Sequence, residues 1–347
     1  MIHTRRQLLG SALTLSALQM FPGLSFAQAR KLVFATFTGS WEEAHRDVLV
    51  PAFKRASGND MLLDAMLSVD QIAKVSAARA NPPIDVMLHD PGPALTAIGQ
   101  DLVEPFPVAT SKHYKDLIPD AQDALGPSMF FQVVGLTYNP EKIKTPPTSW
   151  ADLFKPEYKG RVGMTNLNST LGTGFLVELA RMGGGSESNV DAGFKAIERL
   201  KPNLAAVAAN PGALAALYQQ GQIDISPGNF NAIQILKARG VPVEFVAPKE
   251  GAIAFKTSIH IVKNSPNKAL AAAMIDTALS PEVQKRLMQA PYLVVPTNAK
   301  VAMEGEIAKV LAKDTADLKK KFVFQDWKKI NEQRPEWIAR FNREIKI

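Results

Sequence analysis

PKEGAIAFKTSIHIVKNSPNKALAAAMIDTALSPEVQKRL, from Pro248 to Leu287, is the stretch around which the chain is organised. Ala252 to Val262 is mostly apolar, with Lys256, Thr257, Ser258 and His260 set into it. That composition suits a strand crossing between two packed bodies. Asn264-Ser265-Pro266 offers a helix start, with Ser265 as cap and Pro266 in the first turn. Leu270, Ala273, Met274, Thr277 and Ala278 follow at helical spacing. Ser280-Pro281-Glu282 repeats the device and opens a second helix. A strand thus leaves one compact unit and ends in helices of another.

An earlier segment answers it. Ser128 to Tyr138 carries Phe130-Phe131 and Val133-Val134, a buried run that Asn139-Pro140 ends. Ahead of it come βα units. Leu32 to Phe37 is a short apolar strand followed by Thr38-Gly39-Ser40-Trp41 and a helical pattern to about Ala56, with Ser40 as a candidate cap. Met61 to Leu67 and Ile84 to Leu88 are further strands, with a helix over Asp70 to Ala80 between them. The latter strand runs into His89-Asp90-Pro91-Gly92, where Asp90 suits either a cleft position or a helix cap. Open α/β sheets bind ligands at such carboxyl ends of strands.

Beyond Tyr138, Thr148 to Phe154 reads as a short capped helix and Val162-Gly163-Met164 as a strand. Thr165 to Gly172 follows, a cluster of small polar residues ahead of an apolar helix from about Thr173 to Met182. Asn166, Asn168, Ser169 and Thr170 are its candidate ligand contacts, with simple capping as the other reading for Ser169 and Thr170. Ile223 to Ser226 is a strand ending at Pro227-Gly228-Asn229, where Asn229 suits ligand contact or turn geometry equally. The chain from Val301 onward reads as helical.

Composition sets the frame. With 347 residues, 46% of them hydrophobic and 21% charged, the chain has room for two domains. The absence of cysteine excludes disulfides, thiol nucleophiles and thiolate metal sites. The net charge of +7 has no Arg-rich run behind it. Lys319 to Lys321 looks like a solvated helix face, so no nucleic-acid partner is expected. Residues 1–29 read as an export signal: Arg5-Arg6, an apolar run from Leu8 to Phe21, and Ala27-Gln28-Ala29 as a small-x-small cleavage site. Thr4 to Leu9 resembles a twin-arginine signal, with Leu8 where Phe is usual, and a general secretory signal is the alternative. A periplasmic location follows, with an uncleaved anchor as the other outcome.

Three pieces carry a family resemblance: EGAIAF at Glu250 to Phe255, KNSPNKALAAAMIDTALSPEVQ at Lys263 to Gln284, and GLTYNPEKIKTPPTSWADLFKPEYKGRVGM at Gly135 to Met164. In order and spacing the chain resembles the extracellular solute-binding proteins of bacterial ABC importers, in the branch that includes polyamine- and ferric-iron-binding members. The resemblance implies an α/β, periplasmic binding protein-like type II fold, with two mainly parallel lobes joined by two crossover strands. It places lobe 1 at 30–137 and 258–300, lobe 2 at 138–257, and a C-terminal helical segment at 301–347. It also implies a solute cleft between the lobes, membrane permease subunits as partners, a monomer, and no enzyme activity. Thr38, Gly39, Ser40, Trp41 and Asp90 would contact solute from one lobe. Tyr138 would lie near the hinge, where plain burial explains a tyrosine equally well.

Signatures of other classes are missing. The sequence has no HExxH, no GxSxG and no P-loop lysine, so neither catalysis nor a cofactor is expected. His3, His45, His89, His113 and His260 show no metal-ligand spacing. Iron-binding relatives use adjacent tyrosines, and Tyr114, Tyr138, Tyr158, Tyr218 and Tyr292 are all apart, so iron is not expected. A secreted enzyme on the same fold is the alternative from another class.

The ligand class turns on Phe255 and Thr257. Two apart on a strand, they share a face, and Lys256 points the other way. In polyamine-binding relatives the matching strand offers an aromatic residue and then an aspartate for an ammonium group. Here the aromatic is kept as Phe255 and the acid is replaced by Thr257. The loop after Met164 also offers no carboxylate. Burying several ammonium groups without their acids costs several kcal/mol per ion. The expected solute is therefore small, polar and anionic, a carboxylate or phosphonate packed on Trp41 or Phe255, with a polyamine as the alternative.

Overall fold

A computed structural model describes residues 31–345, so the export-signal reading of residues 1–29 lies outside the described residues. The strands are β1 (Leu32–Thr36), β2 (Met61–Ala65), β3 (Val86–His89), β4 (Val103–Glu104), β5 (Ser128–Tyr138), β6 (Val162–Thr165), β7 (Leu204–Ala208), β8 (Ile225–Asn229), β9 (Glu244–Val246), β10 (Ile253–Val262) and β11 (Val295–Pro296). They join in the order β2-β1-β3-β10-β5-β8-β6-β7, with β4, β9 and β11 at the sides.

The two long strands hold the centre. β5 and β10 pair antiparallel, Ile253 opposite Val134 and Thr257 opposite Phe130. On one flank β2, β1 and β3 run parallel. On the other, β8, β6 and β7 run parallel. Each central strand is shared: β10 pairs with β3 through Ser258–Ile261, and β5 pairs with β8 through Val134–Tyr138. All eleven residues of β5 are buried, which is what a strand covered on both faces requires.

The helices are α1 (Ser40–Ala44), α2 (Val50–Ser57), α3 (Ser68–Ala77), α4 (Pro91–Gly99), α5 (Thr170–Met182), α6 (Asp191–Leu200), α7 (Pro211–Gln219), α8 (Phe230–Ala238), α9 (Lys268–Ala278), α10 (Pro281–Met288), α11 (Gly305–Val310), α12 (Thr315–Lys321) and α13 (Trp327–Glu344). α5 is buried from Thr170 to Ala180 and mostly apolar there, as suits a helix inside a core, with Thr170, Thr173 and Glu178 as the polar exceptions. Burial of Phe175, Leu176 and Leu179 stabilises it by roughly 1.5–3 kcal/mol each. α13 is amphipathic, burying Trp327, Ile330, Arg334, Trp337 and Phe341. Trp327, Ile330 and Trp337 pack with Phe175 and Phe255, while α11 and α12 add Ile307, Leu311 and Leu318 beside Phe131 and Val133.

Two expected helix starts differ. Ser265 is not the N-cap: the helix begins at Lys268 with Asn267 as its N-cap, and the Ser265 hydroxyl holds the turn before it, accepting from the Asn267 N–H at 3.0 Å and donating to Asp85 Oδ1 at 2.7 Å. Ser40 is also no cap. It is the first residue of α1, and Gly39 takes the capping position at φ 73°. Only a residue without Cβ holds that conformation cheaply, and a Cβ there would come within 3.3 Å of Gly212 Cα. Ser280 caps α10 as its sequence suggests, accepting from the Val283 N–H.

Candidate functional site

A cavity of about 240 Å³ lies where the carboxyl ends of the strands meet helix starts. The openings of α1 (Thr38, Gly39, Ser40), α3 (Leu67, Ser68), α4 (Asp90), α5 (Asn168, Ser169, Thr170), α7 (Pro211, Gly212) and α8 (Asn229) all line it. The reason is topological: each βα unit turns into its helix at the same edge of the sheet. α5 approaches especially closely, because a Cβ on Gly172 would lie 2.2 Å from the Asn166 carbonyl oxygen.

Capping was the plain alternative for Asp90 and Ser169, and turn geometry for Asn229, which stands at the N-cap position of α8. None of the three makes a side-chain capping hydrogen bond to its helix. Nor does Leu67 at the start of α3, whereas Asn210 caps α7 through the Ala213 N–H. The first-turn N–H groups of α3, α5 and α8 therefore keep their donor capacity and the positive end of the helix dipole, whereas α4 opens with Pro91 and Pro93, which have no N–H to give.

Below these openings runs a polar chain with a fixed sense. Gln132 Nε2 donates to Asp90 Oδ1 and to Thr257 Oγ1, both at 2.8 Å. Thr257 Oγ1 in turn reaches Asp90 Oδ1 at 3.3 Å, and the Thr170 hydroxyl bonds the same carboxylate. Gln132 must then accept at Oε1, which takes the Asn229 Nδ2 donor at 2.8 Å. Asn229 Oδ1 is left buried and without a partner. Burial pushes Asp90 up to about 6, against the pull of these donors and of Arg334. Arg334, buried on α13, donates from Nη2 to the Asn168 carbonyl at 2.8 Å and to that of Leu167 at 3.3 Å, and from Nε to Thr173 Oγ1 at 3.1 Å. Desolvation lowers it to about 10.

Apolar surfaces complete the wall. Trp41 stacks on Phe130, centroids 4.1 Å apart and planes 7° from parallel. Phe255 meets Trp327 edge-on at 6.2 Å. Two charged lining residues pair with each other, Arg239 of α8 with Glu43 of α1.

Of the residues singled out from the sequence, Thr38, Gly39, Ser40, Trp41, Asp90, Asn168, Ser169, Thr170, Asn229 and Phe255 line this cavity. Three do not. Tyr138 lies in the core beside Trp150 and Ile225. Asn166 shapes the loop, its Oδ1 accepting the Asn168 N–H at 3.1 Å. Thr257 is fully buried beneath the floor, on the same face as Phe255, while Lys256 on the opposite face reaches the Asp120 carbonyl. Sequence reading passed over Gln132, Arg334, Ser68, Glu43 and Arg239. Gln132 left a signal, a lone amide inside Phe130-Phe131-Gln132-Val133-Val134. Arg334 left none, being far along the chain in a mostly polar helix.

Comparison with known proteins places this geometry. The family model for bacterial extracellular solute-binding proteins matches residues 81–333, and the chain belongs to that family. The spermidine/putrescine-binding periplasmic protein of Escherichia coli K12 is 32% identical over 143 residues, 41% of this chain and 40% of that protein. A Salmonella typhimurium protein named for periplasmic binding of 2-aminoethylphosphonate is 26% identical over 224 residues, 63% of this chain and 64% of that protein. The aligned regions thus span less than two thirds of these relatives' length. Among solved structures, the periplasmic binding protein AfuA of Actinobacillus pleuropneumoniae, with fructose-6-phosphate bound, superposes with a TM-score of 0.74 at 22% identity. That match covers 92% of this chain and 99% of AfuA, and it bears on the fold alone: two lobes of the type II periplasmic binding protein class. Among the described residues, no helix is long and apolar enough to cross a membrane.

Proposed function

We propose that this chain is the solute-binding component of an ABC importer. It takes a small polar solute with an acidic group from the periplasm and hands it to membrane permease subunits, acting as a monomer without catalysis or a cofactor. One observation carries the solute class: three helix starts without side-chain caps, those of α3, α5 and α8, bring first-turn N–H groups to a single small cavity. Such starts favour anions through free N–H donors and the helix dipole. The family supports delivery to a permease. The lobes meet around the solute, residues 30–137 with 258–300 against 138–257, with 301–347 packed on both. Only a closed form makes contacts from both sides, so the solute shifts the population toward closure. Binding rather than catalysis is favoured because the two lining carboxylates are engaged, Glu43 with Arg239 and Asp90 with Gln132, and no histidine lines the cavity.

A thermal-shift panel of carboxylates, phosphonates and polyamines tests the reading. A solute at about 100 times its dissociation constant stabilises by about 2.7 kcal/mol. At ~2.1 cal/mol/K per residue that raises the melting temperature by about 4 °C in a chain of this length. A shift with acidic members is expected. Shifts confined to spermidine and putrescine overturn the acidic reading.

A further inference from the structure

The cavity is not uniformly suited to an anion. Its floor presents acceptors. Asp90 is acceptor-only when ionised, and the Gln132 amide, the Thr257 hydroxyl and the Thr170 hydroxyl all bond it. Because Gln132 must give its N–H groups to Asp90 and Thr257, Asn229 must give Nδ2 to Gln132. The sense of the chain therefore leaves Asn229 Oδ1 as a second buried acceptor with no partner. Asp90 forms no salt bridge among the described residues, while the other charged lining residues, Glu43 and Arg239, neutralise each other. A buried amide oxygen without a partner, beside a buried carboxylate that has hydrogen-bond donors but, among the described residues, no cation within salt-bridge distance, calls for a donor with positive charge.

We propose that the solute carries a protonated amine, seated on Asp90 and Asn229 at the floor of the cavity, so that the site selects an amino-bearing acid. This rests on the reading above, in which the acidic end meets the uncapped helix starts. An ammonium group has three N–H donors and no acceptor, which matches a carboxylate oxygen and an amide oxygen left open. A single floor carboxylate suits one ammonium group and leaves a second one in a diamine without an acid.

The test uses probe pairs that differ only by the amine: 2-aminoethylphosphonate against ethylphosphonate, and 4-aminobutyrate against butyrate, with putrescine as the diamine. Calorimetric titration of the mature protein should show an amino member binding at least about tenfold tighter than its partner, since hydrogen bonds to a charged group are the stronger ones. Asp90→Asn should weaken that amino member about ten- to hundredfold relative to its partner, which lacks the amine and should not be weakened. A second measurement needs no variant. The preference for the amino member over its partner should fall as pH drops from 7 to 5, as Asp90 takes up its proton; the comparison within a pair cancels the titration of the probe's own acid group. Arg334, the charged group acting on Asp90 from α13, stays protonated throughout, and His89 and His260 stay neutral. Equal binding within a pair, or binding of ethylphosphonate or butyrate alone, overturns the inference and leaves the acidic-solute reading standing. Binding of putrescine alone upholds the amine and overturns the acid. No response to any probe counts against both.

Discussion

Arg334 Nη2 lies 2.8 Å from the carbonyl oxygen of Asn168, so the last helix donates into the loop that opens α5 at the cavity. The same guanidinium serves Leu167 and Thr173, and it holds a positive charge behind Asp90. Replacing it with Met leaves the Asn168 carbonyl and the Thr173 oxygen without this donor, while the Leu167 carbonyl keeps the Thr173 hydroxyl at 2.8 Å. Arg334→Met should cost about 2–4 kcal/mol in urea unfolding, the range expected when a buried charged donor is removed. Arg334→Lys should recover little, because an ammonium cannot reproduce the planar fork. A loss below about 1 kcal/mol for the Met variant would show that water serves the loop as well as Arg334 does.

Trp41 both lines the cavity and stacks on Phe130, whereas Trp150, Trp327 and Trp337 lie elsewhere. A solute that enters should change the fluorescence of Trp41 above all. Trp41→Phe should keep the stacked contact and the fold while removing most of the solute-dependent signal. Trp41→Ala should cost about 3–5 kcal/mol, the range for a large aromatic lost from a core. A full fluorescence response in the Phe variant would place the solute away from this wall.

The contrast between Arg334 and Gln132 shows what a sequence can carry. The crossing strands are legible because their period and apolarity are local properties: Ser128–Tyr138 was read with the bounds that β5 has. Helix starts at strand ends are legible for the same reason, and they account for nine of the ten lining residues named from the sequence, Phe255 on β10 being the tenth. Ser265 and Ser40 were misread as caps because each has a competing demand that local sequence does not display. Ser265 is drawn to Asp85, 180 positions away, and Ser40 yields to the left-handed Gly39 beside Gly212. Whether Asp90 and Ser169 cap their helices was open in the sequence, as was a turn role for Asn229, since the same residue types suit both tasks. Geometry separates the tasks. Arg334 was beyond reach, because its partners are carbonyl groups and carbonyls have no residue signature.

Arg239 and Glu43 join α8 to α1 at the cavity and are both partly solvent-exposed. Screening makes such a pair worth little in stability, so either neutralisation should move unfolding by less than about 1 kcal/mol. Binding should respond differently. Arg239→Met leaves the Glu43 carboxylate unpaired beside the solute and should weaken an acidic probe by about fivefold, on the order of 1 kcal/mol at near-surface dielectric. Glu43→Gln should not weaken it, and the double variant should return toward the parent. The Arg239→Met effect should shrink as salt rises from 50 to 500 mM. An effect that salt leaves untouched would point to lost packing in place of charge.

Acid sensitivity follows from three buried histidines. Burial lowers His45 to about 3 and His260 to about 4, and it lowers His89 well below its ordinary value, with the neighbouring His260 adding to the fall. In the unfolded chain each titrates near 6.5. Between about 6.5 and 4 the unfolded state therefore holds protons that the folded state refuses. Stability then falls as pH falls, by up to about 1.4 kcal/mol per pH unit for each histidine. Asp90 and Glu178 act in the opposite sense, because burial raises them to about 6 and about 7. They take up protons in the folded state first and offset part of the loss. The net expectation is a fall of about one proton's worth, on the order of 1 kcal/mol per pH unit near pH 5. His89 isolates the effect, because neither ring nitrogen has a hydrogen-bond partner. His89→Leu should change stability little at pH 8, where no bond is lost, and should be more stable than the parent at pH 5. Urea unfolding at both pH values measures this. Parallel stability profiles for the two proteins would mean that the His89 ring takes up its proton in the folded state as readily as in the unfolded one.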